Sequence, residues 1–110
     1  MKLVEVNSYA VSIFIAGSAD KAESTCRAFC NQVGLCVTIT RTVYVFSGGE
    51  EAGVIVGLIN YPRFPKAPSE IWHLAEALAS FLREHLSQQS YTIQAPDKTV
   101  WFSHRPEDAA

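Results

Sequence analysis

Cysteine is scarce in this sequence and forms no recognisable motif. The three cysteines are an odd number and include no Cys-x-x-Cys pair, which argues against a disulfide framework and favours a reducing compartment. Cys26 and Cys30 are four residues apart, so on a helix they would share one face and could bind a metal with Cys36 or a histidine. Ala22 and Phe29 continue the same stripe at helical spacing, however, and such a stripe is typical of a buried core. We therefore predict no metal site and no cofactor.

An excess of positive charge is also missing. Nine lysines and arginines stand against eleven aspartates and glutamates, and the formal net charge is −2, whereas proteins that follow a phosphate backbone need a basic surface. No apolar run approaches the ~20 residues that cross a bilayer. Glu5 and Asn7 interrupt the apolar core that a signal peptide would have. We predict a soluble, cytoplasmic protein without nucleic-acid or membrane partners.

The sequence does contain enough apolar side chains for one core. Of its 110 residues, 48% are hydrophobic and only 18% are charged, a composition that excludes disorder for the chain as a whole. A chain of this length buries roughly 65% of its unfolded surface in one domain. We predict a single domain over residues 1–110, with a disordered tail over about 104–110.

The apolar pattern predicts six elements in the order βαββαβ. Asp20 with Glu23 resembles an N-terminal helix cap whose helix stops at Gly34, and Pro68 suits the first turn of a second helix. The predicted strands are 4–16, 35–46, 51–61 and 91–103, the last interrupted by a turn at 96–98, and the helices are about 20–34 and 68–88. This order predicts a ferredoxin-like α+β fold, in which a four-stranded antiparallel sheet carries two helices on one face.

Gly48 and Gly49 predict a two-residue hairpin turn between the second and third strands, with both glycines at positive φ. Val43 then pairs with Val54. In this register one face of the hairpin is nearly all apolar and belongs under the helices, whereas the other carries tyrosine, threonine and glycine. A slip by one residue would exchange the two faces, so the alternation determines which side chains the helices cover.

The stretch Val11–Gly17, VSIFIAG, has the shape of a motif on the first strand of RNA-recognition domains. Phe14 is predicted on the face left open by the helices, where such domains place stacking rings. Their third strand supplies a basic residue and two more aromatic residues, but here the corresponding strand offers Ile55 and Ile59. Base stacking contributes roughly 1–3 kcal/mol per base, and this face has too few rings for it. The motif therefore predicts a strand and not an RNA-binding surface.

The face left open by the helices also predicts self-association. Its apolar and neutral side chains would leave a large patch in water, and isolated domains rarely expose contiguous patches beyond several hundred Å². A second copy that covers the face is the simplest solution, and two-fold dimers are the commonest assembly. We predict a homo-oligomer, most simply a dimer, with an interface formed by Phe14, Thr40, Tyr44, Ile55 and Ile59.

The proline-rich loop NYPRFPKAP, residues 60–68, predicts a ligand site. Prolines stiffen the loop, and an arginine among aromatic rings recognises anions or stacks on planar groups. The turn in the last predicted strand could bring further charged and aromatic side chains to the same region. The predicted ligand-binding residues are Tyr61, Arg63, Trp72, Asp97, Lys98 and Trp101.

Two interpretations of this ligand site stay open. In the first, Arg63 and Asp97 form the rim of a pocket for a small molecule or a peptide. In the second, which we favour, the loop is a rigid crossover packed by aromatic residues, and Asp97 completes its own turn. No spacing of a nucleophile and a base supports a catalytic assignment, so no catalytic residue is predicted.

Two segments resemble a known group of proteins. They are GLCVTIT…SGGEEAGVIVGLINYPRFP and APDKTVWFS, and they are similar to small bacterial proteins carried on the mobile gene cassettes of integrons. The resemblance implies a cytoplasmic accessory protein with an α+β fold and assigns no activity. We predict a homo-oligomeric module that binds a small molecule or a protein. The alternative is a small dimeric ferredoxin-like enzyme with a pocket near Arg63 and Asp97.

Overall fold

The computed structural model describes residues 1–109. Within these residues, two helices cover one face of a five-stranded antiparallel sheet. The strands are β1 (Ala10–Ala16), β2 (Thr38–Phe46), β3 (Gly49–Ile59), β4 (Ser90–Gln94) and β5 (Thr99–Ser103), the helices are α1 (Ala19–Val33) and α2 (Pro68–His85), and a 3-10 turn spans Pro106–Asp108.

The strand order in the sheet is β2–β3–β1–β4–β5, and every neighbouring pair is antiparallel. The predicted α+β class and the βαββαβ order of the first six elements are confirmed. The predicted count of four strands is wrong, because the last predicted strand folds back on itself. The backbone bends at Pro96 and Asp97, and the Ala95 amide donates a hydrogen bond to the Lys98 carbonyl at 2.8 Å. Pro cannot donate to a central ladder and favours turns, so β4 and β5 form a hairpin.

The cap at the start of α1 differs from the prediction. Ser18 is the capping residue, and its hydroxyl accepts a hydrogen bond from the Lys21 amide at 3.2 Å. Asp20, predicted as the cap, lies in the first turn and pairs with the Arg41 guanidinium of β2 at 2.6 Å. The predicted stop at Gly34 is confirmed, since this residue has the left-handed φ of 72°.

Both ends of the chain also differ from the prediction. The first strand begins at Ala10 and not at Val4. Of the segment 104–110, predicted as a disordered tail, residues 106–108 form the 3-10 turn, and Ala110 lies outside the described residues. No helix in the described part of the chain is long and apolar enough to cross a membrane.

The β2–β3 hairpin keeps its predicted faces but has a different register. Gly49 pairs with Phe46, so the turn consists of Ser47 and Gly48. Of the two predicted turn glycines, only Gly48 has a positive φ, 91°. The pairing is shifted by two residues from the prediction. Because side chains alternate with a period of two, each one stays on its predicted face.

The core lies between the helices and the sheet. Leu78 and Leu82 of α2 are fully buried, and each such burial contributes ~1.5–3 kcal/mol. The strands supply Val11, Ile13, Ile15, Val54, Val56, Leu58 and Ile93 to this core. The opposite side of the sheet, which the helices do not cover, is called the open face.

The three cysteines are buried to different degrees. Cys26 is 1% exposed, as predicted for a core residue, and burial raises the pKa of its thiol to about 11. Cys30 is only partly buried, so it lies at the edge of the core and not within it as predicted. Cys36 is exposed. Among residues 1–109, no group of three or more histidine, cysteine, aspartate or glutamate side chains is placed to hold a metal ion.

We expect a thiol reagent to label the native cysteines in the order of their exposure. Cys36 should react first and Cys30 more slowly. Cys26 should react only after unfolding, because it is buried and its raised pKa leaves little of the reactive thiolate. Timed labelling followed by peptide mass mapping measures the three rates. Equal rates for Cys26 and Cys36 in the folded protein, or stoichiometric zinc in the purified protein, would contradict this expectation.

Candidate functional site

The predicted ligand-binding residues do not form one site. Tyr61 lines a small cavity of about 40 Å³ with Cys36 and Phe64, and the neighbouring Cys36 thiol, together with burial, raises the pKa of the Tyr61 phenol. Arg63 lies in a different surface depression, where its guanidinium carbon is 5.4 Å from the centroid of the Phe64 ring. That depression does not include Asp97, so the two residues do not form a common rim there.

Three other predicted residues meet at the β4–β5 turn. The Lys98 ammonium lies 4.2 Å from the centroid of the Trp72 ring, which is buried at the start of α2. Asp97 accepts a hydrogen bond from the Tyr9 hydroxyl at 3.2 Å, and burial and the Asp97 charge raise the pKa of Tyr9. These contacts tie the turn to α2 and to the segment before β1. They support the interpretation of packed loops over that of a pocket, although the Asp97 carboxylate accepts its hydrogen bond from Tyr9 and not from its own turn as predicted.

Trp101, the sixth predicted residue, lines a groove on the open face. Trp101 is 56% exposed and pairs with Thr92, which in turn pairs with Phe14. The groove encloses about 230 Å³ and crosses all five strands from Tyr44 to Trp101. We call it the open-face groove, and the side chains that define its chemistry are Phe14, Tyr44, Glu51, Thr92, Trp101 and Arg105.

Two small residues lie beside Tyr44, which lines the open-face groove. Ala16 pairs with Gly53, and the Tyr44 ring lies against Gly53 so closely that a Cβ there would be 2.6 Å from the ring and 2.5 Å from the Ile15 carbonyl oxygen. The Tyr44 hydroxyl donates a hydrogen bond to the Val54 carbonyl at 2.6 Å, and burial raises the pKa of this phenol. Because Gly53 has no side chain, the Tyr44 ring packs flat against the sheet and forms one wall of the groove.

Opposite charges stand at the two sides of the open-face groove. Glu51 pairs with Tyr44 on the β2–β3 side, and Arg105 follows β5 on the Trp101 side. Neither charge forms a salt bridge with another side chain of residues 1–109. Aromatic faces attract flat rings and cations, so this arrangement can hold a flat ligand that carries both charges.

The five predicted interface residues all lie on the open face. Thr40, Ile55 and Phe14 follow one another in a row across β2, β3 and β1. Ile59, which is 49% exposed, lies at the far end of β3 from the groove, and Tyr44 lines the groove itself. We call Thr40, Ile55 and Ile59 the open-face patch.

Sequence reasoning missed three groove residues, Glu51, Thr92 and Arg105. The alternation on the third strand indicates the position of Glu51. This residue is two positions before Gly53 and therefore lies on the same open face. For the β5 side, a hairpin centred on the turn at 96–97 would have paired Trp101 with Thr92. The interpretation of 91–103 as one strand concealed this pairing.

Comparison with known proteins identifies the fold alone. No family model matches the chain, and no curated protein matches it. Two solved structures of a phage SAM lyase are similar to it. The apo form has a TM-score of 0.69 at 16% sequence identity, covering 94% of each chain. The complex with S-methyl-5'-thioadenosine has a TM-score of 0.67 at 18% identity, covering 94% of this chain and 95% of that one.

Proposed function

We propose that the protein binds S-adenosylmethionine (SAM) in the open-face groove and cleaves it. This develops the predicted enzyme alternative, with the site in the groove instead of near Arg63 and Asp97. Two structures with the same fold along 94% of this chain are named as a SAM lyase. The observation that carries the proposal is the grouping of three aromatic rings, Phe14, Tyr44 and Trp101, with one carboxylate in a single groove.

The chemistry of SAM matches these groups. Its adenine is flat, its sulfur is a sulfonium cation, and its amino-acid end carries an ammonium and a carboxylate. Aromatic faces bind both flat rings and cations within about 6 Å, and the Glu51 carboxylate adds a negative charge. The groove volume of about 230 Å³ is below the ~300–1,000 Å³ of enclosed ligand pockets. The ligand would therefore lie along the groove with one side exposed.

The proposed reaction needs no other reactant. The bond between the sulfonium sulfur and the γ-carbon of the amino-acid chain breaks, and the sulfur keeps the electron pair and leaves as neutral S-methyl-5'-thioadenosine. The four-carbon fragment either loses its β-proton to solvent water to give 2-amino-3-butenoate or closes through attack of its own carboxylate to give homoserine lactone. Both routes balance in atoms and charge, and they are distinguished by the product.

Incubation of the purified protein with SAM tests the proposal. Chromatography should show formation of S-methyl-5'-thioadenosine well above the rate in buffer alone, and NMR identifies the four-carbon product. Trp101→Ala should lower kcat/KM by roughly 5- to 150-fold, because one lost stacking contact is worth about 1–3 kcal/mol. Phe64→Ala is the matched control, since Phe64 is 64% exposed and lies outside the groove. A folded wild-type protein that neither cleaves SAM nor binds S-methyl-5'-thioadenosine would refute the proposal.

Self-association through the open-face patch is a second proposal. Ile59 is 49% exposed and Thr40 is also exposed, beside the half-buried Ile55. This surface carries no charge, so a second copy can cover it with little desolvation of ionised groups. The patch lies beside the groove without forming its walls, so assembly and ligand binding are compatible. Cytoplasmic location and carriage on mobile DNA also stay predictions.

We expect Ile55→Glu to dissociate the assembly and to leave the fold intact. The Ile55 side chain lies on the open face, so a carboxylate there meets the partner copy and not the core. Light scattering reports the mass, and circular dichroism reports the helices. Val45→Glu is the matched control, because Val45 is a 78% exposed strand residue on the other side of the sheet. A monomeric wild type at high micromolar concentration would exclude the proposed assembly.

A further inference from the structure

The two charges of the open-face groove are far enough apart to bind two oppositely charged groups of one ligand. Glu51 is on β3 and Arg105 follows β5, with β1 and β4 between them. Three steps of roughly 4.8 Å between neighbouring strands separate their backbones by about 14 Å. Long side chains reaching inwards from both sides reduce this gap, which leaves room for an extended dipolar molecule and prevents the two charges from neutralising each other.

Arg105 is held in place by its own segment. Its backbone amide donates a hydrogen bond to the Ser103 hydroxyl at 3.2 Å, and Pro106 starts the 3-10 turn immediately after it. The Ser103 hydroxyl in turn donates to the Asp108 carboxylate. Asp108, the acidic residue three positions away, is therefore engaged with Ser103, and its carboxylate forms no salt bridge with Arg105.

Arg105 is half-buried and lines the groove. Within residues 1–109, no carboxylate lies within the 4.0 Å of a salt bridge to it. A guanidinium in this state binds a planar carboxylate through two parallel hydrogen bonds, a geometry that an ammonium cannot reproduce. The groove thus contains a free site for one carboxylate on the β5 side.

We infer that Arg105 binds the α-carboxylate of the substrate and makes the groove select ligands that carry one, an inference that rests on the proposed function. The α-ammonium stays at the Arg105 end, because it shares a carbon with the carboxylate, whereas the sulfonium faces the Glu51 side and the adenine lies against the aromatic rings. S-methyl-5'-thioadenosine has neither the carboxylate nor the sulfonium charge. Its binding should therefore not depend on Arg105.

Three ligands and three variants test this assignment. Arg105→Ala should raise the KM for SAM about tenfold, the loss expected for one charge-assisted contact, and should change the Kd for S-methyl-5'-thioadenosine by less than twofold. Arg105→Lys should recover only part of the loss. The control Arg63→Ala, which removes an arginine outside the groove, should change neither value. Decarboxylated SAM should bind with the same Kd to the wild type and to Arg105→Ala.

The outcomes separate this inference from the proposed function. A wild type that cleaves SAM while Arg105→Ala leaves the KM unchanged overturns the role of Arg105 and leaves the proposed function standing. Equal weakening of SAM and S-methyl-5'-thioadenosine also overturns it, since that pattern indicates general damage to the groove. A wild type that binds neither compound overturns both.

Discussion

Replacing Gly53 with alanine is expected to destabilise the protein by about 2 kcal/mol, the middle of the range for an overpacked site. A Cβ at this position would lie 2.5 Å from the Ile15 carbonyl oxygen, 2.8 Å from the Ala16 Cα and 2.6 Å from the Tyr44 ring. Two of these neighbours are backbone atoms of β1, so the central β1–β3 pairing itself must shift. For a domain of this size the melting temperature should fall by about 10 °C.

The same substitution should also disable the open-face groove. Tyr44 can no longer lie on the sheet once a methyl group occupies its place, and the hydrogen bond from its hydroxyl to the Val54 carbonyl is lost. Ligand binding should therefore weaken even at temperatures where Gly53→Ala is folded. Thermal melting with and without S-methyl-5'-thioadenosine measures both effects, because a ligand that binds only the native state raises the melting temperature.

Gly57→Ala is the matched control on the same strand and the same face. A Cβ there would meet only the Thr38 hydroxyl, at 2.6 Å, and a side chain at an edge strand can rotate away. Alanine also lowers the entropy of the unfolded chain relative to glycine, which offsets part of the cost. The melting temperature should change by only a few degrees, because ~1 kcal/mol corresponds to ~4–8 °C in a small domain. Equal losses for the two variants would show that close packing at Gly53 has no special role.

The faces of the strands could be predicted from the sequence, whereas their register could not. Alternation has a period of two, so it places Val54 and Val56 under the helices in any register shifted by an even number. Alternation alone does not distinguish a turn at Gly48–Gly49 from a turn at Ser47–Gly48, because the two registers place the same side chains on the same faces. The predicted register was therefore wrong by two residues, but the predicted open face was right.

The groove could not be predicted, because it depends on contacts between segments distant in the sequence. Trp101 was grouped with Arg63 through an assumed long last strand. The bend at Pro96 instead sends β5 back along β4 and places Trp101 on the open face. The position of the Tyr44 ring in the groove depends on a missing Cβ, that of Gly53, on the neighbouring strand. A glycine in a strand indicates close approach of some group, but the sequence does not say which one.

Glu51→Gln is expected to raise the KM for SAM about thirtyfold. The variant keeps the shape of the side chain and removes the negative charge on the β3 side of the groove. Contacts to charged groups contribute about 1.5–3 kcal/mol, and about 2 kcal/mol corresponds to a thirtyfold change in affinity. Glu50→Gln is the matched control, because Glu50 is the preceding residue, pairs with Val45 and lies on the other side of the sheet. It should leave the KM unchanged.

The turnover number should not fall in Glu51→Gln, because the charge on sulfur disappears during the reaction. The sulfonium is fully positive in the bound substrate and becomes neutral as the carbon–sulfur bond breaks. A carboxylate beside it therefore stabilises the substrate more than the transition state, and only interactions stronger in the transition state accelerate the chemical step. Steady-state kinetics separates the two parameters. A hundredfold fall in kcat at an unchanged KM would contradict this role and would indicate that Glu51 removes the β-proton instead.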